Sequence, residues 1–571
     1  MNIRSRKLYW PFMVIGLIMT LAACATQTPD APITITAATA APTKTPLPTP
    51  TPRPLAIYSQ TSLPDPVRSQ LDKMIKAGGQ KFISANDPAS ADVQVGYTAH
   101  ADVPVIGQQV YALVAAFPTA IDDVPWSAVQ AAWQGKPAEC DGCVFTDTLK
   151  LTDSTLQALK VVLGEPAANA IEVVPLAQLT QKLWDVPSLG IVPFDQLNLR
   201  LKVLSIDGLT PMHRNLDLNT YPLVINIGLA GSIDSTQAVQ KSFGQTITNR
   251  DESRMTILAM TGVTAMSRDF AAAMDANGVL YPDKLIKDYF TTSDIVHVSN
   301  EVSFWSDCPK QPTLNRGIFC SDPKYMDLLK DINVKVIELT GNHLNDYSWE
   351  PFSYTLGIYE NLGIPYFGGG RTITDAQRLI TLTDHGNTIG FVGCNPVGPA
   401  YDWVDGLNDG RPGSAPCSSP YPTMQDEIKQ ARAAGDVVIA TLQYYEQPLG
   451  NYSIETAKVQ ADDFGVLADA GANVVSGSQG HSIQGFGFKG NTFIHYGVGN
   501  LFFDQVKNTA FNLPVSVQQN FIDRYLIYNN QVLGVELITT FRDSSQQLRP
   551  MTPTEKRDLL TQLFAVSIWG K

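Results

Sequence analysis

Apolar positions fall into three regimes along this chain. An unbroken apolar run extends from Tyr9 to Leu21 behind Arg4, Arg6 and Lys7. Residues 26–54, "TQTPDAPITITAATAAPTKTPLPTPTPRP", show no hydrophobic period at all. From Leu55 onward, short apolar runs alternate with amphipathic stretches, the pattern of an α/β chain. In "PDPVRSQLDKMIKAGG", Val67, Leu71, Met74 and Ile75 share one helix face and a glycine pair closes it. "DVQVGYTA", "QQVYALVAAF" and "PLVINIG" read as strands of the same region. The charged stretch "TNRDESR" separates residues 55–250 from residues 251–545, where the alternation resumes. There the strand candidates are "TILAMTGVTA", "DIVHVSNEVS", "VKVIELTGN", "NTIGFVGCN", "DVVIATLQYYE", "ANVVSGSQ" and "NTFIHYGVGNLFFD". Helices are expected from Pro323 to Ile332, Trp349 to Leu362, Met424 to Ala434 and Glu455 to Ala470, and a helical tail over 546–571.

Nearly every apolar strand of the second region ends in polar residues. Open α/β sheets bind ligands beyond the carboxyl ends of their strands, so chemistry is sought there. Those ends carry Asn300 and Glu301; Asn342, His343 and Asp346; Gln443 and Glu446; Gln479 and His481; and Asn500 with Asp504. Taken singly, each has an ordinary explanation as a cap, a solvated carboxylate or a satisfied turn residue. Their joint placement is what marks a site. "FGGGRT" lacks the lysine and spacing of a phosphate-cradling loop and reads as a turn.

Composition narrows the classes. A 571-residue chain is long enough for two substantial cores, and its net charge of -13 opposes nucleic acid and non-specific docking on anionic lipid. The basic start, short apolar run and "LAAC" ending at Cys24 follow the plan of an export signal, residues 1–23. That ending is similar to a bacterial lipobox, which implies acylation of Cys24 and anchoring at the outer face of the cytoplasmic membrane or cell envelope. Residues 24–54 then form a stalk, because a Thr/Pro-rich segment buries no core and proline holds it extended at roughly 3 Å per residue. Of seven cysteines, setting aside Cys24 leaves an even set, as expected for disulfides in an exported chain. Proximity favours Cys140 with Cys143, Cys308 with Cys320, and Cys394 with Cys417. Zinc is the competing reading for "CDGC", but no second pair or nearby histidine completes four ligands.

The motifs of residues 251–545 resemble a known family. "LTGNHLNDYSWEPFSYTLGIYENLGIPYFGGG", "VSNEVS" and "QADDFGVLADAGANVVSGSQGHSIQGFGFKGNTFIHYGVGNLFFDQ" are similar to segments of the CapA family, linked to poly-gamma-glutamate capsule synthesis. The resemblance implies a calcineurin-like metallophosphoesterase fold, a four-layer α/β/β/α sandwich, with strand-end residues that bind two divalent metals. By position, Glu301 and Asn342 match metal-site residues, His343 the acid or transition-state stabiliser, and His481 the final histidine. The texture of residues 55–250 is similar to phosphate-type extracytoplasmic solute-binding proteins, which implies a periplasmic-binding-protein-like α/β domain and a small solute.

The departures are as informative. Where the family has Gly-Asp this chain has Gly262-Val263, where it has His-Trp-Gly this chain has Gln443-Tyr444-Tyr445, and Gln479 replaces a histidine. Carboxamides are neutral and offset none of the charge of two cations. The expectation is therefore no ordinary two-metal centre, with one weakly held Mg, Mn or Ca ion at Glu301, Asn342 and His481 as the remaining metal reading. Glu301, His343 and His481 are the catalytic candidates, for acid/base work. Asn300, Asn342, Asp346, Gln443, Glu446, Gln479 and Asn500 are the binding candidates. The function expected is a surface-anchored protein acting on an anionic capsule polymer or with its synthesis machinery. The alternative is a non-catalytic ligand- or polymer-binding lipoprotein.

Overall fold

Strands buried on both faces read as continuous apolar runs, and in a parallel sheet they need helices over the outer surface. The computed structural model describes residues 53–99, 102–310, 317–405, 410–444, 451–505 and 513–570, and the second region there has this construction twice. One sheet runs in the order Tyr366–Phe367, Val334–Glu338, Ile295–Asn300, Met255–Thr261, Gln519–Tyr528, Gln531–Arg542, Leu548–Pro550. Its first four strands are parallel and the remainder are antiparallel. The other runs Ile380–Asp384, Asn387–Cys394, Val437–Gln443, Val474–Ser478, Thr492–His495, Phe486–Lys489, Ile568–Trp569.

Three buried clusters define four layers. Leu258, Met260 and Val336 of the first sheet meet Ile389, Ile439, Val474 and Phe493 of the second in the central core. Phe270, Leu329, Phe352 and Leu356, on helices, cover the outer face of the first sheet against Val296 and Val298. Met424, Ile428, Phe464 and Leu467 cover the second against Val438, Ala440 and Val475. The second region is thus the α/β/β/α sandwich the family resemblance implies. Its helix Trp349–Leu362 has the bounds read from the sequence. "FGGGRT" is structural: Gly369–Gly370 is a short strand paired with Gly413–Ser414.

Residues 55–248 build a separate mixed sheet around the strand Val105–Ala116, which pairs with strands on both of its sides. Its own core contains Val67, Leu71, Val110, Leu113, Ile191 and Ile225. A cavity of about 570 Å³ in this region is lined by Tyr97, Gln109, Tyr111, Thr152 and Asp195 among others. Phe117 leaves this sheet and enters the sandwich core, with its ring 5.2–6.0 Å from those of Phe486, Phe488, Phe493, Phe564 and Trp569. The helix Pro553–Val566 opens on a capping box between Thr552 and Glu555, and beyond it Ile568–Trp569 adds an edge strand to the second sheet. The three expected disulfides, Cys140–Cys143, Cys308–Cys320 and Cys394–Cys417, are all present. Cys24, the export signal, residues 24–52 of the stalk and Glu446 lie outside the described residues.

Candidate functional site

Parallel strands of one sheet deliver their carboxyl ends to one edge, and here both sheets of the sandwich do so at the same place. Ile295–Asn300 runs out into Glu301, Val334–Glu338 into the Thr340–His343 turn, Val437–Gln443 ends on Gln443, and Val474–Ser478 leads to Gln479. Gly341 lets the turn lie against the neighbouring strand end, since a Cβ there would stand 2.8 Å from Glu301 Cα. Gly262 does the same on the other side, where a Cβ would be 1.9 Å from the Gly499 carbonyl oxygen. The next residue, Val263, pairs with Ser299 and Asn500 and is buried, so an aliphatic side chain stands where the resemblance implies a carboxylate.

Carboxamides form the floor. Gln443 Nε2 donates to Gln479 Oε1 at 2.5 Å and to Asn342 Oδ1 at 3.2 Å. Its Oε1 lies 3.1 Å from the Ser478 hydroxyl oxygen and 3.4 Å from that of Thr340. Beneath lies a layer that sequence reading missed. The buried carboxylate of Glu338 accepts from Thr340 (2.6 Å) and Ser478 (2.7 Å) and pairs with His297 Nε2 at 3.1 Å. Burial is the largest influence on Glu338 and pushes its pKa up, but the His297 and hydroxyl contacts outweigh it and leave the group below the ordinary value. The sequence signal was a titratable residue inside each of two apolar runs, His297 in "DIVHVSN" and Glu338 in "VKVIELTGN".

The two candidate histidines stand beside this floor. His343 Nδ1 pairs with Asp346 Oδ2 at 2.8 Å, and the same oxygen accepts the Phe319 N–H at 2.6 Å. Burial alone would lower the His343 pKa. The Asp346 contact and the charges of Glu301, Asp346 and Asp402 more than offset it, and the net direction is upward. His481 Nδ1 lies 2.8 Å from Asn500 Oδ1, an acceptor that fixes the proton on this nitrogen, and Asn500 Nδ2 donates back to the His481 carbonyl at 3.1 Å. Asn300 is buried and donates to the Val302 carbonyl at 2.7 Å, so it shapes the turn at Glu301. Asp504 forms an ion pair with Arg268.

Glu301 is 1% exposed, and neither carboxylate oxygen has a hydrogen-bond partner. Asp402, a residue the strand-end rule could not find because it sits in a loop, is 0% exposed and accepts the Asn345 N–H at 2.7 Å. Burial pushes its pKa up to about 7, and the nearby carboxylates of Asp346 and Glu301 add to the rise. The site therefore combines a histidine biased toward its charged form, a buried carboxyl poised near neutrality and a carboxylate without partners, over a neutral hydrogen-bonding floor.

A pair of divalent ions does not fit these residues. Gln443 Nε2 already occupies the oxygens of Gln479 and Asn342, Val263 offers no donor atom, and among the described residues Glu301 is the single anion at the positions the resemblance assigns to metal. Asp294, Asp384 and His385 place ligand atoms within 4.8 Å of one another. They lie beyond the amino ends of the strands, and the Arg214 guanidinium already stands 2.6 Å from Asp294 and 3.4 Å from His385 Nδ1.

Residues 257–505 match the family model described as bacterial capsule synthesis protein PGA_cap. The PGA biosynthesis protein CapA of Bacillus subtilis (strain 168) is 26% identical over 180 residues, which covers 31% of this chain and 45% of that protein. The capsule biosynthesis protein CapA of Bacillus anthracis is 22% identical over 294 residues, 50% of this chain and 67% of its own. The match thus spans less than half the length of the first of these relatives. Among solved structures, an ABC-type phosphate transport receptor from Vibrio cholerae aligns over 33% of this chain and 93% of its own at 11% identity and a TM-score of 0.28. A putative phosphate ABC transporter substrate-binding protein from Clostridium perfringens aligns over 34% and 91% at 12% identity and a TM-score of 0.24.

Proposed function

With residues 257–505 forming a domain of the CapA capsule-synthesis family, we propose that this chain is a surface-anchored lipoprotein acting in synthesis, export or retention of an anionic capsule polymer. The polymer is of the poly-gamma-glutamate type, and the strand-end site is where the chain meets it. The observation that carries the reading is the set of polar groups at that site: His343 held by Asp346, Glu301 without partners, and the paired carboxamides of Asn342, Gln443 and Gln479.

In this reading His343 is the proton donor, since the carboxylates around it favour its charged form. Glu301 is the base, Asn342 and Gln479 orient the substrate by hydrogen bonds, and Asn500, buried and bonded to His481, acts by holding that imidazole. His481, its Nδ1 fixed by Asn500, presents Nε2 as a further proton carrier. One hard divalent ion, Mg, Mn or Ca, held by Glu301, Asn342 and His481, would polarise a substrate oxygen when bound. Cys24 carries the lipid that holds the chain at the membrane. The cavity beside Tyr97 and Asp195 takes a small solute.

The self-satisfied floor also supports a second reading, binding without chemistry, because paired carboxamides recognise polar ligands without reacting. One cell experiment separates the two. Glu301→Ala and His343→Ala are expected to lower capsule polymer at unchanged protein level, and Cys24→Ser to release the protein from the membrane. Full capsule in both site variants, with polymer binding retained, would favour the binding reading; full membrane retention of Cys24→Ser would exclude the lipid anchor.

A further inference from the structure

Arg268 is the first residue of the helix Arg268–Asn277, and its backbone is left-handed at φ 50°, uncommon for a residue with a side chain. Its side chain is 17% exposed and that of its partner Asp504 is 2% exposed. Arg268 Nε lies 3.1 and 3.0 Å from the two Asp504 oxygens, Nη2 also donates to Asp504, and the Asp269 N–H reaches Asp504 Oδ2 at 3.1 Å. The guanidinium so fixed faces two aromatic rings, Phe319 at 4.4 Å and Phe503 at 4.8 Å. Each ring in turn touches one site histidine. Phe319 meets His343 edge-on at 4.6 Å, and Phe503 stacks on His481 at 5.2 Å. Phe319 also supplies the N–H that holds Asp346 on His343.

We propose that Arg268, locked by Asp504, is a positioning residue that sets both imidazoles at once through Phe319 and Phe503. A planar cation stacks on aromatic faces while its edge binds a carboxylate bidentately, so one side chain fixes the two rings relative to each other. His343 and His481 come from different sheets of the sandwich, and this contact ties their orientations together without touching either. The inference rests on the strand-end site being the functional one, but its test reads the imidazoles and not activity, so the two fail separately.

The test is NMR of the full chain with labelled histidines. Arg268→Gln is expected to shift the ring signals of His343 and His481 together while His297, paired with Glu338 beneath the floor, and His495, paired with Asp523 between the sheets, stay in place. Phe319 and Phe503 also meet edge-on at 6.0 Å, so Phe319→Leu should move His343 more than His481 and Phe503→Leu His481 more than His343. Arg268→Lys, which keeps the charge but loses the fork, should shift both by less than Arg268→Gln. The proposal is overturned if Arg268→Gln leaves either site histidine unmoved, or if it moves His297 and His495 as far as the site pair.

Discussion

Three carboxyl groups surround His343, and their burial gives the site a pH signature. Asp402 keeps its proton in the folded state up to about pH 7, whereas the unfolded chain releases it near the ordinary 3.8. The native state therefore binds more protons across that window, and stability falls as pH rises from 3.8 to about 7. His343, raised above 6.5, acts in the same direction: its contribution is present below 6.5 and is lost as pH rises through the folded value. Asn in place of Asp402 keeps an acceptor for the Asn345 N–H and removes the buried charge. Asp402→Asn should thus gain over the parent on the order of 4 kcal/mol above neutrality and progressively less toward acid pH. Thermal unfolding at about pH 5 and about pH 8 reads this directly, and an equal gain at both would contradict it. Glu301, Asn342, His343, Gln443, Gln479 and His481 were legible in the sequence because each follows an apolar strand. Asp402, Arg268 and Phe319 were not, since each reaches the site through tertiary contacts that no periodicity encodes.

At the scale of elements, most parallel strands of the sandwich and the helix Trp349–Leu362 lie where the apolar pattern puts them. The antiparallel pair Gln519–Tyr528 and Gln531–Arg542 was missed for a physical reason. Its first strand, "QNFIDRYLIY", carries Asn520, Asp523 and Arg524, which break the apolar run that marks a buried strand. All three are buried and partnered across elements instead. Asp523 Oδ2 meets His495 Nδ1 at 2.6 Å between the two sheets, with Phe486 and Phe521 packed on the imidazole. Removing one member of such a pair strands the other in the core, so Asp523→Ala should cost about 3–5 kcal/mol. Urea unfolding measures it; a loss no larger than that of a surface substitution would show that the pair contributes little.

At the scale of the whole molecule, aromatic packing joins the two described regions. Phe117 belongs by sequence to the first region, yet its ring lies against five rings of the second. Phe117→Ala should therefore destabilise by about 3–5 kcal/mol, and chemical denaturation that left the midpoint unchanged would mean the two regions hold independently. The same scale carries the functional claim. Residues 257–505, which match the capsule-synthesis family model, carry carboxamides and a valine where the resemblance implies charged ligands, and the function proposed above rests on hydrogen bonds and proton transfer there, with at most one weakly held ion. Metal content of the full chain, purified without chelators, tests this most directly. The account predicts well under two transition-metal ions per chain, lost on dialysis; two tightly held ions per chain would contradict it.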